Sequence, residues 1–361
     1  MSAINEEIRK VGYKILEQLK QKQPPVLEFP KRSRDNVKYE NGYLRLGQNL
    51  MQRRMNDITE IKKFAQTVAI LKIINELIEK DTFLNIRGIY YCPDNVQIPG
   101  TKHFLFDEQT ESDSVLTDVE VLLGRFREEL HIASNSKGHV VGDVKFKAYT
   151  KTKEYVIDCT KVGPEGAKIP RDLSRLEIVD CKANFVLVIE KDDICFGLNY
   201  DEFWEKYNCI LLTAEGVPDR ATRLFVKQLN EKFKIPVAVL VDNDPYGWGN
   251  IYAVYKCGSI RLAHDSERLA CPNAQLVGLV TSDIERWKLS PKTLEDATDS
   301  DIEKAKQLKE YDWFKDEFWQ RELDLFLKIK KKTKIDALAE HDYRFLQDVY
   351  LPQRLKEMGL V

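Results

Sequence analysis

Three short apolar runs constrain this chain more than anything else in it: "FVLVIE" ending at Glu190, "CILLTAEG" at 209–216, and "VAVLVDNDPYG" at 237–247. Each is too short for a buried helix and too continuously apolar for a strand with one wet face, so each reads as a strand covered on both sides. Between the last two lies "PDRATRLFVKQLNEKF", with Ala221, Leu224, Phe225 and Leu229 at helical spacing. Strand, helix, strand in that order predicts parallel strands layered with helices. Side chains at the carboxyl ends of such strands sit where an α/β fold places its chemistry, which directs attention to Glu190, Asp242 and Asp244.

Asp242 and Asp244 flank Asn243, and Pro245 follows at once. Asp before Pro is a helix start, because Asp caps free N–H groups and Pro suits the first helical position. Carboxylates gathered at one sheet edge also repel one another unless a cation lies among them, and a hard ion such as Mg2+ prefers that all-oxygen environment. Local chemistry allows both readings, a bare turn-and-cap or a metal site.

The remaining composition narrows the alternatives. Seven cysteines and five histidines carry no C-x-x-C or H-x-x-x-H spacing, so any metal falls to carboxylates. No phosphate loop of the G-x-x-x-x-G-K-[ST] type occurs. No apolar run is long enough for a bilayer and "MSAINEEIRK" lacks a signal-peptide core, so no membrane association is expected and the expected location is the cytoplasm, at the nucleoid. The formal net charge of -2 hides a basic bias over residues 1–80 and an acidic one over 81–140.

Upstream of the strands, helical spacing predicts helices over 2–22, 58–80 and 115–130, with a short helix in "FLNIRGIYYC" stopped by Pro93. "KGHVVGDVKFKAYT" and "KEYVIDCT" read as strands of a small hairpin, giving the element order of a winged helix. The tail, 301–361, reads as aromatic-rich helices, and the basic run "KIKKKTK" at 328–334 is left without a role. In "IRGIYYC", Tyr90 and Tyr91 point about 100 degrees apart on a helix, so one core cannot bury both. Arg87 lies four residues before Tyr91 and shares its face. A guanidinium there suits a phosphate and a nearby phenol suits a nucleophile, but from the residues alone a tyrosine pair near a helix end is more often packing.

Taken in order, "SRDNVKYENGYLRLG", "IRGIYYC", "FDEQTESDSVLTDVEVLLGRFREELH", "KGHVVGD", "FVLVIEK", "GVPDRATR" and "VDNDPYGW" resemble the A subunits of the type IIB DNA topoisomerases of archaea and, more distantly, their meiotic break-forming relatives. The resemblance implies a mixed α/β fold: an N-terminal extension (1–65), a winged-helix DNA-cleavage domain (66–150), linking strands (151–180), and a Toprim domain with C-terminal helices (181–361). It implies Tyr91 as the residue that becomes joined to DNA, Arg87 as its helper, and Glu190, Asp242 and Asp244 as Mg2+ ligands. It further implies duplex DNA as substrate, a homodimer in which the tyrosine of one protomer meets the metal site of its partner, and a GHKL-type B subunit that binds ATP, giving A2B2. A dedicated break-forming transesterase and a catalytically silent DNA-binding scaffold are the alternatives. "TAEGVPD" departs from the family by carrying Ala214 and Glu215 where many relatives have glycine and lysine.

Overall fold

The computed structural model describes residues 3–133, 136–171 and 175–361. Two separate apolar cores organise it. The first gathers helices Ala3–Lys20, Ile61–Glu79, Ile86–Tyr91 and Gln109–Leu123 around Ile70, Ile74, Ile89, Leu116 and Val119. Helix 61–79 buries Phe64, Thr67, Ile70, Leu71 and Ile74, the three- and four-residue spacing read from the sequence. Helix 109–123 differs from its expected span of 115–130. It ends where Gly124 takes φ 62°, a left-handed cap that satisfies the last carbonyls, so residues 125–130 turn away.

The second core holds a six-stranded sheet in the order 167–168, 139–141, 209–213, 185–189, 237–240, 275–278. Strands Cys209–Thr213, Phe185–Ile189, Val237–Leu240 and Gln275–Gly278 are parallel, as the three apolar runs require. Every residue of the first three is buried, which accounts for their lack of alternation. Helix Arg220–Lys232 starts on an Asp219 cap and buries Ala221, Leu224, Phe225 and Leu229.

The hairpin expected from 137–150 and 153–160 forms, Val144–Tyr149 pairing antiparallel with Glu154–Asp158, but it packs on the second core and its first segment also supplies a strand elsewhere. Strand His139–Val141 pairs antiparallel with Cys209–Thr213 and so extends the α/β sheet. Val144–Tyr149, Glu154–Asp158 and Glu177–Cys181 make a separate three-stranded sheet whose Val144 and Phe146 pack into the second core. Val140, Val144, Phe146 and Ile178 find apolar cover there, which the small helical core has no room to supply.

The C-terminal helices close one side of the sheet. Trp248, fully buried, meets Trp319 at 5.7 Å and Phe326 at 5.6 Å between ring centroids, and its Nε1 donates to the Leu279 carbonyl at 3.0 Å. Among the described residues no helix is long and apolar enough to cross a membrane, and all seven cysteines are free.

Ion pairs buried between the two units join them. Glu120, on helix 109–123, accepts from Arg127 and Arg220 at 2.7 Å each, and lies 3.0 Å from His264. Asp118 holds Arg32 and Arg53, Glu128 pairs with Arg268, and Asp265 takes Arg268 and Arg220.

Candidate DNA-cleavage site

Asn85 starts the short tyrosine helix, its side chain accepting from the Gly88 N–H at 2.8 Å, and Cys92 leaves helical geometry just before Pro93. The helix treats its two tyrosines differently. Tyr90 packs on the first core and its Oη donates to the Asp107 carbonyl at 3.1 Å. Tyr91 is 77% exposed, and among the described residues its hydroxyl has no hydrogen-bond partner. Arg87 is exposed on the same helix and has no carboxylate within ion-pair distance among the described residues. Among those residues no hydrogen bond, ion pair or ring contact brings either side chain to Glu190, Asp242 or Asp244.

Those three carboxylates do come together, at the carboxyl ends of adjacent parallel strands. The Asp242 N–H donates to Glu190 Oε2 at 2.9 Å, tying the two strand ends. Asp244 Oδ1 accepts from the Tyr246 and Gly247 N–H groups at 2.8 and 2.7 Å, so it is the helix cap that Pro245 suggested. Its other oxygen accepts no hydrogen bond from the described residues. Cap and ligand are therefore compatible roles for one side chain. Glycine at 247 leaves room for the acids, since a Cβ there would lie 3.1 Å from the Asp242 carbonyl and 3.3 Å from Glu190 Oε2, close enough to press on them.

Burial, with the charges of Asp242 and Asp244 added, pushes the Glu190 carboxyl up to about 7. Asp242 and Asp244 are also raised, chiefly by burial. The trio is short of positive charge. Two groups outside the predicted set partly relieve it. Lys191 Nζ lies 3.1 Å from Asp242 Oδ2 and 2.5 Å from Asp336, and the Ile335 N–H donates to Asp242 Oδ1 at 2.8 Å.

The second contact comes from the basic run that had no role in the sequence. Lys331–Thr333 pairs with Leu294–Asp296, and Asn243 exchanges backbone hydrogen bonds with Thr333 at 2.9 and 3.3 Å. This strap crosses the strand end that carries the acids. Lys331, Lys332 and Lys334 spend their charge on Asp296, Asp301 and Glu295. Sequence reasoning missed Lys191 and the strap; the "EK" step at 190–191 was the available signal for the lysine, and nothing local announced the strap.

Among the described residues no three metal-ligating side chains converge as a finished cage, and both Asp242 oxygens are engaged by Lys191 and the Ile335 N–H. The donor set nevertheless fits a hard cation. Among the described residues Glu190 and Asp244 each keep an oxygen without a hydrogen bond, and the surplus negative charge adds to burial in raising both. Glu215 stands at the end of the neighbouring strand 209–213, where the Gly216 N–H donates to the Glu190 carbonyl at 2.9 Å, and its Oε1 lies 3.6 Å from His139 Nδ1.

The architecture is that of a Toprim-containing class of protein: a parallel α/β unit with acids at its strand ends, joined to a helical unit that exposes Tyr91. Residues 185–355 match the family model for the Toprim domain shared by the topoisomerase 6 A subunit and Spo11, and residues 62–132 match that of the "Type IIB DNA topoisomerase". The A subunit of type 2 DNA topoisomerase 6 from Sulfurisphaera tokodaii is 39% identical, the alignment covering 98% of this chain and 95% of the relative. Proteins with the same description from Methanocaldococcus jannaschii and Pyrococcus abyssi are 34% and 30% identical, each over 98% of this chain and 94% of the relative. The chain belongs to the topoisomerase VI A-subunit family, the type IIB DNA topoisomerases, and its activity is that of a topoisomerase: cleavage and rejoining of DNA.

Proposed function

We propose that Tyr91 is the residue that carries the broken DNA end. Its Oη attacks a backbone phosphorus; the new P–O bond forms as the bond to the 3′ oxygen breaks, and the phenolic proton leaves as the 3′ hydroxyl is made. The chain is then joined to the 5′ phosphate, and the 3′ hydroxyl reverses the step to reseal the strand. No water is consumed, so the bond energy is kept. Arg87, on the same helical face, offsets the charge that gathers on the phosphate oxygens.

Glu190, Asp242 and Asp244 would hold Mg2+, which supplies charge stabilisation to phosphate oxygens and to the 3′ oxygen. Lys191 partly offsets the burial of Asp242 and orients it, and the Asp244 cap fixes the third carboxylate on a rigid helix start.

The observation that carries this reading is the environment of the two tyrosines: Tyr90 is committed to the core, and Tyr91 is exposed and unpartnered among the described residues. Because no contact joins Tyr91 to the acids of its own chain, the reading includes a homodimer in which each tyrosine reaches the other copy's acid site. It also includes an ATP-binding GHKL-type B subunit, in an A2B2 complex acting on double-stranded DNA, so that a second duplex passes through the break.

The test is to incubate the chain with its B partner, Mg2+ and supercoiled plasmid, denature, digest, and identify the residue bonded to DNA by mass spectrometry. Relaxation with the adduct on Tyr91 is expected. An adduct on Tyr90, or relaxation with none on Tyr91, overturns the assignment. Breaks without relaxation favour the break-forming relative, and no adduct under any condition favours the silent scaffold.

A further inference from the structure

A cavity of about 790 Å3 lies between helix 109–123 and the Toprim unit, with Ile86 of the tyrosine helix and Gly249 and Asn250, just beyond the Asp244 cap, at its wall. Its lining includes Asp113, Arg127, Arg223, Arg261, Lys304 and Trp313. Arg223 is 1% exposed, yet among the described residues its Nε and Nη2 make no hydrogen bond. A guanidinium removed from water with donors unused costs several kcal/mol unless something accepts from it.

The neighbouring carboxylates are engaged with other cations, although Glu128 Oε2 is buried without a hydrogen bond among the described residues, and none of them forms an ion pair with Arg223 there. Glu120 is divided among Arg127, Arg220 and His264, Asp265 is shared by Arg220 and Arg268, and Glu128 is paired with Arg268. Against those three acids stand Arg127, Arg220, Arg268 and Arg223, and Arg223 is the one without an acid. Burial depresses its proton affinity to about 10, which still leaves it charged near neutral pH.

At the cavity's edge Lys304 donates to Asn250 Oδ1 at 3.1 Å and lies 5.8 Å from the Tyr246 ring centroid, and among the described residues neither Lys304 nor Arg261 has an ion-pair partner. Asp113 is the single carboxylate of the lining, and one of its oxygens is also buried without a partner. Three uncommitted cations against one acid leave about two positive charges facing the space. A phosphate monoester brings about two negative charges at neutral pH with several acceptor oxygens, and so matches this surplus better than a carboxylate. The volume suits a ligand of nucleotide size. A duplex is too broad to carry a backbone phosphate to a guanidinium that is 1% exposed.

We propose that this cavity binds a small phosphate-bearing ligand of mononucleotide size, with Arg223 as the buried anchor and Arg261 and Lys304 at the edge. The ligand would sit between the tyrosine-bearing and acid-bearing units and brace them against each other. The proposal concerns binding to the full-length chain and does not depend on which residue attacks DNA.

Calorimetric titration of the full chain with AMP, and separately with inorganic pyrophosphate, tests it. Saturable one-to-one binding of AMP is expected, with a ligand-dependent rise in Tm. Arg261→Ala, an exposed change that leaves the fold alone, should weaken AMP by about tenfold, and Arg223→Gln should remove saturable binding. Asp113→Asn should tighten it, because a like charge is withdrawn. No saturable binding of either probe up to about 10 mM overturns the proposal, since affinities weaker than that amount to no site. So does affinity unchanged in both arginine variants, or displacement of AMP by a short duplex at equal phosphate concentration, which would assign the phosphate to DNA instead.

Discussion

Tyr90 and Tyr91 touch edge to face, ring centroids 4.9 Å apart, yet their hydroxyls are in opposite chemical circumstances. One is tied to the Asp107 carbonyl, and the other ends in solvent. Tyr91→Phe should therefore leave thermal unfolding within about 0.5 kcal/mol of the parent while abolishing the denaturant-resistant DNA adduct. Tyr90→Phe should do the reverse, losing about 1 kcal/mol with the adduct kept. Gel mobility of labelled DNA after denaturation, beside a melting curve, reads both.

The link from Lys191 to Asp242 makes a second expectation. Mg2+ should raise the Tm of the full chain, and Asp242→Asn should increase the Mg2+ needed for half of that rise by about tenfold or more, because one ligand charge is lost. Lys191→Met should lower it, since the competing ammonium is gone. Equal Mg2+ midpoints in all three proteins would show that Asp242 is not a ligand.

Gly247 sits under the acids, where a methyl group would crowd the Asp242 carbonyl and Glu190 Oε2. Gly247→Ala should cost about 1–2 kcal/mol in stability. It should also displace Glu190 enough to blunt the Mg2+-dependent Tm rise. A variant with the parent's Mg2+ response would mean that Glu190 tolerates the crowding or does not bind.

Glu120 predicts the acid limit of the molecule. Burial alone would push its carboxyl up, but Arg220, Arg127 and His264 overcome that and hold it well below its ordinary 4.5. A group whose folded value is depressed contributes fully above the unfolded value and loses that contribution as pH falls toward the folded one. Stability, followed by denaturant unfolding, should thus drop as pH is lowered below 4.5. Glu120→Gln should be about 3–5 kcal/mol less stable at pH 7, with a shallower acid limb, because Arg220 and Arg127 are left buried without that charge.

Much of this was legible in the residues. Continuous apolar runs can only be strands with both faces covered, so Glu190, Asp242 and Asp244 had to emerge at one edge, and the structure places them there. The cap role of Asp244 and the helix over 220–232 follow from local chemistry in the same way. The Tyr90/Tyr91 pair was different: helical geometry says that the two diverge, but which one faces solvent depends on the position of Asp107 and helix 109–123.

The destination of 139–141 was also undecidable locally, because a short apolar strand pairs with whichever edge offers the larger core, and that edge belongs to residues 209–213. The same holds for the strap, whose contact with Asp242 spans 93 residues of sequence. Period and composition determine which faces of a segment must be buried. Only the assembled chain decides what buries them, and hence that Asp242 is met by Lys191 and the Ile335 N–H and that Arg223 is left facing a cavity without an acid of its own.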